Sequence, residues 1–377
     1  MLSSQIIEIK KAKKPLFDKC GGFFLNGGNN AYPDEIEFLF ENSVTAFTGF
    51  QLLHNYVSGD WQNGSNWIND DQSINDFNND VAENIVKFGG VFVQFDYEMK
   101  DGKYTPTSPK VLPFTDCRLG KKDDDEYNGK ILVSKNFDDK KKKPLEFDVF
   151  NPKVALIQKE KQGQNYKGQI LYFTTQKKYY YPKSILHPVI NDCESEIQAS
   201  IFKNRSLTKG FFGKQLLFTR PFVDSQLPED NELKITQKKE RNAFKENLQK
   251  FMGAENVGNV LHIEMEFDTM ADIDKQIIYK EISTNINDKL FEFTEKSTAN
   301  NIRKALYNIP YLLLENSDNA MFGNSGEAIV QARKFYFEST DKIRTIHIEF
   351  MKYIFEIIGL QNQIYIPLQY AATNNPI

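Results

Sequence analysis

Between Glu327 and Ile358 the chain runs 32 residues without a Gly or a Pro. Nothing in such a stretch interrupts a helix, which at 1.5 Å per residue would extend roughly 48 Å. Asn324 followed by Glu327 has the spacing of a capping box at its start. A second long pattern precedes it. From Asp272 to Asn308, Ile278, Ile282, Ile286, Leu290, Phe293 and Ile302 fall on one stripe, six Asp/Glu and six Lys/Arg cancel, and Pro310 ends the run. A third, over 183–209, spaces Ile185, Val189, Cys193, Ile197 and Ile201 for a helix. Rods of this length exceed what a compact domain needs and point to an elongated or oligomeric assembly.

Between the last two rods the pattern changes to a strand at Leu216–Thr219, a loop marked by Pro221 and Pro228, a helix over Gln237–Met252 ended by Gly253, and an alternating strand over Val260–Phe267. The first half reads differently. Residues 1–33 close on GGFFLNGGNN, an irregular arm with no Gly-Lys-Ser/Thr after it, which excludes a P-loop. Pro33–Val57 predicts one or two amphipathic helices, 58–73 a loop, and Asp76–Phe88 a helix stopped by Gly89-Gly90. Val91–Phe95 then reads as a strand and Asp101-Gly102 as a hairpin turn. Val111–Phe114, Gly129–Ser134, Leu145–Phe150, Val154–Gln158 and Gln169–Thr174 follow as strands of an antiparallel sheet. The fold class is therefore α+β.

The net charge of −4 over 377 residues argues against a broad basic face that grips nucleic acid. Cys20, Cys117 and Cys193 are too few and too far apart for a disulfide framework, so a reducing compartment is the expectation. Met1–Lys14 lacks the order of a signal peptide, and Leu306–Leu314 is too short to cross a bilayer of ~30 Å, so a soluble protein is expected.

The search for chemistry returns little. Asp96-Tyr97-Glu98-Met99-Lys100 at the end of an apolar strand has the Glu-x-Lys of restriction-type nucleases, where carboxylates hold Mg²⁺ and Lys helps activate water. The commoner reading is a strand running into a charged turn. Asp123–Glu126 lacks the alternating ligand spacing of a calcium loop and reads as a hairpin tip, and Lys140–Lys143 as a solvated loop. His54, His187, His262 and His347 are isolated, which speaks against zinc; His347, in mid-helix, is expected at a surface or interface. No catalytic residue, metal ligand or cofactor site is assigned.

The order of elements over 76–358 resembles that of tailed-bacteriophage portal proteins, the compact type of long-tailed phages. Asp80–Phe95, with its helix, Gly89-Gly90 and apolar strand, is similar to the start of the portal wing sheet; Tyr179–Phe218 to the approach and first stem helix; Gln237–Phe267 to the clip; and Asp272–Pro310 to the second stem helix. The Gly-x-Ser-Pro often found before the first stem helix is here Tyr181-Pro182-Lys183-Ser184, and the tail after Leu360 is short for a crown. The resemblance implies an arm and wing over 1–180, a first stem helix over 181–213, a clip over 214–268, a second stem helix over 269–310, a tunnel loop over 311–326, a long wing helix over 327–360 and a crown-like tail over 361–377.

It further implies a ring, usually of twelve copies, at one capsid vertex of a virion assembled in the host cytoplasm. Double-stranded DNA would pass through the channel, with the terminase large subunit, a head–tail adaptor and the major capsid protein as partners and no membrane. Glu315, Asn316, Ser317, Asp318, Asn319, Met321, Phe322, Asn324 and Ser325 would face the lumen. Phe211, Phe212, Leu216, Leu217 and Phe222 would make clip or intersubunit contacts, ordinary core being the equal alternative. The competing readings are a Mg²⁺-dependent nuclease using Glu98 and Lys100, and another virion structural protein such as an adaptor.

Overall fold

The computed structural model describes residues 17–18, 22–120, 129–139, 143–208, 215–219, 223, 226–252, 260–264, 277–281, 288–314, 326–360 and 363–367. The chain divides into two compact units, one of Met1–Glu194 with Thr298–Ile377 and one of Ser195–Ser297.

The first unit opens with a small hairpin, β1 (Phe17–Asp18) and β2 (Phe23–Phe24), then α1 (Tyr32–Asn42) and α2 (Val44–Ser58). Ser43 separates the two helices: its backbone is extended, and its hydroxyl accepts the Ala46 N–H at 3.2 Å as the cap of α2. After β3 (Asp60–Trp61), a capping box between Ser73 and Asp76 starts α3 (Ile74–Phe88), which ends on Gly89 in the left-handed region. β4 (Gly90–Lys100) and β5 (Lys103–Leu112) join through Asp101 and Gly102, both at positive φ, as a two-residue hairpin turn demands.

β6 (Cys117–Leu119), β7 (Lys130–Val133) and β8 (Leu145–Val149) follow, then α4 (Ala155–Gln162) and β9 (Gln169–Thr174). The six-stranded sheet has the order β5-β4-β9-β8-β7-β6. Two expectations are corrected here together. The sheet is not wholly antiparallel, because β8 pairs with β9 in parallel. Parallel neighbours need a crossover connection, and the segment expected as a strand at Val154–Gln158 supplies it as α4. The expected strand at Val111–Phe114 is also moved: β5 ends at Leu112, and Phe114–Asp116 is a 3₁₀ turn.

β4 is an interior strand of this sheet, between β5 and β9. Val91, Phe92, Val93 and Phe95 are fully buried, so both faces of its first half are covered. Phe92 stacks on Tyr172 at 4.5 Å, and Phe88 on Phe114 at 4.8 Å.

α5 (Ile190–Thr208) begins later than the expected 183. Residues 183–186 are held otherwise: the Ser184 hydroxyl donates to the Lys87 carbonyl at 2.6 Å, and the Gln176 amide donates to the Lys183 carbonyl at 2.8 Å. A 3₁₀ turn, His187–Val189, then leads into the helix. In the second unit β10 (Gln215–Thr219), α6 (Glu232–Met252), β11 (Val260–Glu264) and β12 (Ile277–Glu281) form a three-stranded sheet with one helix. β10 lies between the other two, parallel to β11 and antiparallel to β12.

β12 corrects the single rod expected over 272–308. Ile277-Ile278-Tyr279 is β-branched and aromatic, suited to a pleated strand, and here tertiary pairing decides. The helix is α7 (Asp288–Ala305) alone. Tyr307 and Asn308, both in left-handed conformation, end its run, with the Ile309 N–H reaching back to the Arg303 carbonyl at 3.1 Å.

The last rod is also divided, into α8 (Gly326–Ser339) and α9 (Asp341–Ile358). At the break the Thr340 hydroxyl donates to the carbonyls of Tyr336 and Phe337, at 3.0 and 3.1 Å, and competes with regular helix bonding. The Arg344 guanidinium donates to the Phe337 carbonyl at 3.0 Å and lies over the Phe337 ring, which steadies the joint. α9 then lies on the sheet, Phe350 stacking on Phe173 at 4.5 Å. His347, expected at a surface, is fully buried on this helix, because the same face carries Phe350 and Met351 into the core. Finally β13 (Tyr365–Ile366) pairs with β3, and the Trp61 ring meets Phe355 and Tyr365 edge-on. Among the described residues no helix is long and apolar enough to cross a membrane.

Candidate functional site

Glu315, Asn316, Ser317, Asp318, Asn319, Met321, Phe322, Asn324 and Ser325 lie outside the described residues. The structure describes the frame from which this segment hangs. On one side, α7 is followed by Leu306 and Ile309, both buried, then Pro310 and the 3₁₀ turn Tyr311–Leu313. On the other, α8 begins at Gly326. The Tyr336 hydroxyl donates to the Leu306 carbonyl at 3.2 Å, and the Tyr336 ring meets Tyr56 of α2 edge-on at 4.8 Å. α2 approaches closely because Gly49 has no side chain: a Cβ there would stand 2.5 Å from Leu306 Cδ1 and 3.0 Å from Ile309 Cδ1. The Arg303 guanidinium covers the Tyr311 ring at 5.1 Å.

The described elements on either side of 315–325 thus meet in one buried cluster of Gly49, Tyr56, Leu306, Ile309 and Tyr336. Burial pushes the Tyr336 phenol well above its ordinary range, so it stays a neutral donor. The sequence reading passed over this cluster. Its one available signal was Gly49, a glycine inside an otherwise regular helical pattern.

Of the predicted clip contacts, Phe211, Phe212 and Phe222 lie outside the described residues. Leu216 and Leu217 are on β10, where Leu216 pairs with Leu261 and Lys280, and Leu217 with His262 and Tyr279. With both edges occupied, β10 cannot recruit a partner by strand addition. The Arg241 guanidinium donates to Glu264 at 2.6 Å and ties α6 to β11, while Lys203 pairs with Glu295. Glu229 is held below the usual carboxylate range by Lys238 and Lys234.

The nuclease candidates do not assemble. Glu98 and Lys100 are exposed at the far end of β4. Asp96 is half-buried, its pKa raised by desolvation against the opposing pull of Lys110. Among the described residues no group of three His, Cys, Asp or Glu side chains is placed to hold a metal ion. Asp123–Glu126 and Lys140–Lys142 lie outside the described residues. His54 donates to the Asn79 carbonyl at 3.0 Å, and His187 sits between Tyr32 and Lys183. The Asp192 carboxylate accepts from the Asn301 amide at 3.0 Å, joining α5 to α7 inside the first unit.

No family model matches the chain, and no curated protein does. Solved structures do. One chain in the neck of a native gene transfer agent particle, computed with C12 symmetry, is 12% identical; the match covers 93% of this chain and 87% of that one, with a TM-score of 0.50. A chain in the neck of the empty particle, computed with C6 symmetry, is 14% identical over 91% of this chain and 86% of that one, with a TM-score of 0.51. The chain shares its fold with these two neck chains. The α+β class expected from the sequence stands with it, and the likeness extends over about nine-tenths of the chain. An HK97 family phage portal protein from Corynebacterium diphtheriae is 11% identical over 81% of this chain and 86% of that one, with a TM-score of 0.41.

Proposed function

We propose that this chain is a portal subunit: one member of a ring, of twelve copies, at a single vertex of a phage capsid. The observation that carries this reading is the neck fold, shared along more than nine-tenths of the chain with a structure computed with C12 symmetry. Its role is mechanical. The 315–325 segment, with Asn316, Ser317, Asn319, Asn324 and Ser325 short and polar, lines the lumen, and Met321-Phe322 forms a collar within it. Double-stranded DNA enters and leaves there.

A conduit should not bind its cargo tightly, since each neutralised phosphate adds salt-dependent affinity. Twelve copies at −4 each carry −48, which suits a weakly repelling tunnel. α5 and α7 serve as stem helices, and the three-stranded sheet with α6 serves as the clip. That clip docks the terminase large subunit during packaging and the head–tail adaptor afterwards, while the first unit meets the major capsid protein. The ring sits in the virion after assembly in the host cytoplasm.

Electron microscopy and native mass spectrometry of the purified protein test the reading. Rings with a central channel are expected; a monomer at every salt and protein concentration overturns it.

A further inference from the structure

Two exposed apolar surfaces of the first unit are opposite in charge. From Cys20 to Val86 the chain has ten Asp/Glu and no Lys or Arg. Within that acidic stretch the corner between α1 and α2 exposes Phe38 (53%), Val44 (67%) and Phe47 (48%), while Asp34, Glu35 and Glu41 stand exposed beside them. Val44 and Phe47, three residues apart, share one face of the first turn of α2.

The second surface lies in residues 98–183, which hold 19 Lys/Arg against 12 Asp/Glu. Here Met99 of β4, Leu156, Lys159 and Glu160 of α4, and Gly163 and Gln164 line a hollow of about 550 Å³. Met99 is 61% exposed and Leu156 43%. Lys159 stands over the Tyr104 ring at 4.8 Å, and Lys153 and Lys161, before and after it in the chain, are exposed.

Single exposed apolar residues need no explanation, but an apolar cluster with an excess of one sign of charge about it, as Lys100, Lys153, Lys159 and Lys161 exceed Glu98 and Glu160 in the chain around the hollow, marks an interaction surface. The occupant follows from complementarity: the first surface lies in a stretch with no Lys or Arg, the second in one where they are in excess, and both belong to every copy. A contact between two different faces of identical chains is heterologous, and repeated with a closing rotation it makes a ring. We infer that the Phe38–Phe47 corner of one copy seats in the Met99–Leu156 hollow of the next, with Glu35 and Glu41 set against Lys153 and Lys159. This rests on the ring reading above and names the contact that builds the ring.

Charge exchange tests it. Glu35→Lys with Glu41→Lys, and separately Lys153→Glu with Lys159→Glu, each set like charges across the contact. Either variant alone should raise the protein concentration at half-assembly, read by analytical ultracentrifugation, at least tenfold. An equimolar mixture of the two should assemble again, because each variant then finds opposite charge on the other. The chain carrying all four substitutions should assemble by itself. If wild type forms rings and either variant assembles as wild type does, this contact is wrong while the ring reading stands. Dissociated variants that neither the mixture nor the fourfold chain rescues overturn the contact as well. A wild type that never assembles removes both.

Discussion

Gly49 and Leu306 lie so close that a methyl group added to the glycine would stand 2.5 Å from Leu306 Cδ1. Leu306 is fully buried, so its side chain must shift within the core to admit the methyl. Gly49→Ala should therefore cost about 1–3 kcal/mol despite the better helix propensity of alanine. Leu306→Val alone should cost about 1 kcal/mol as a lost methylene. The double variant should be more stable than the sum of the two predicts, because the smaller Leu306 replacement makes room for the methyl. Urea denaturation of the four proteins measures the coupling, and strict additivity would show that the close approach relaxes by other means.

Arg118 is buried, which lowers its pKa against the opposing pull of Tyr181, Asp34 and Asp116. Its guanidinium donates to the Asn30 side-chain and main-chain oxygens at 2.5 and 2.8 Å, to the Thr115 carbonyl at 2.6 Å and to the Cys117 carbonyl at 2.9 Å. The Tyr181 hydroxyl helps in the same task, donating to the Phe24 carbonyl at 2.7 Å. Arg118→Met should leave those carbonyls without their donor, cost roughly 2–4 kcal/mol, and loosen the chain before α1 from the sheet. Limited proteolysis should then cut between residues 22 and 31 faster than in wild type. Unchanged cleavage there would mean that Tyr181 alone secures the segment.

His347 makes stability depend on pH in a direction that can be worked out. Burial, with His54 adding in the same sense, lowers its pKa to about 4. The Asn78 backbone acts the other way, but neither ring nitrogen has a partner at hydrogen-bonding geometry. The unfolded chain protonates this histidine near pH 6.5, so below that pH the unfolded state binds more protons than the folded one. The stabilisation is full above about pH 6.5 and is lost as pH falls towards 4, by up to about 3 kcal/mol. His347→Gln should flatten the fall in stability between pH 6.5 and 4.5. An equally steep fall in the variant would assign the acid sensitivity to other groups.

The sequence made the first unit legible wherever local chemistry and tertiary demand agree. Ser73 with Asp76, Gly89 after α3, and Asp101-Gly102 each state a backbone conformation that the structure adopts. Its failures are cases where distant residues decide. Ile277–Glu281 carries a stripe compatible with a helix, yet it becomes β12 because β10 offers an edge to pair with. Val154–Gln158 is apolar enough for a strand, yet the parallel β8–β9 pair requires a crossover there. Thr340 is an ordinary residue in a helix-permissive run, and only its hydroxyl bonds to Tyr336 and Phe337 reveal a joint. The loop base was missed for the same reason, since Gly49, Leu306 and Tyr336 are far apart in the chain and meet only in the fold.

The bond between Asp192 and Asn301 has a consequence for how this protein can change over time. It joins the two strands of chain at the place where residues 195–297 leave and rejoin the first unit. The first unit closes upon itself there, so the intervening residues form a cassette. Such a cassette can lengthen, shorten or be exchanged between lineages without rewriting the core that carries it.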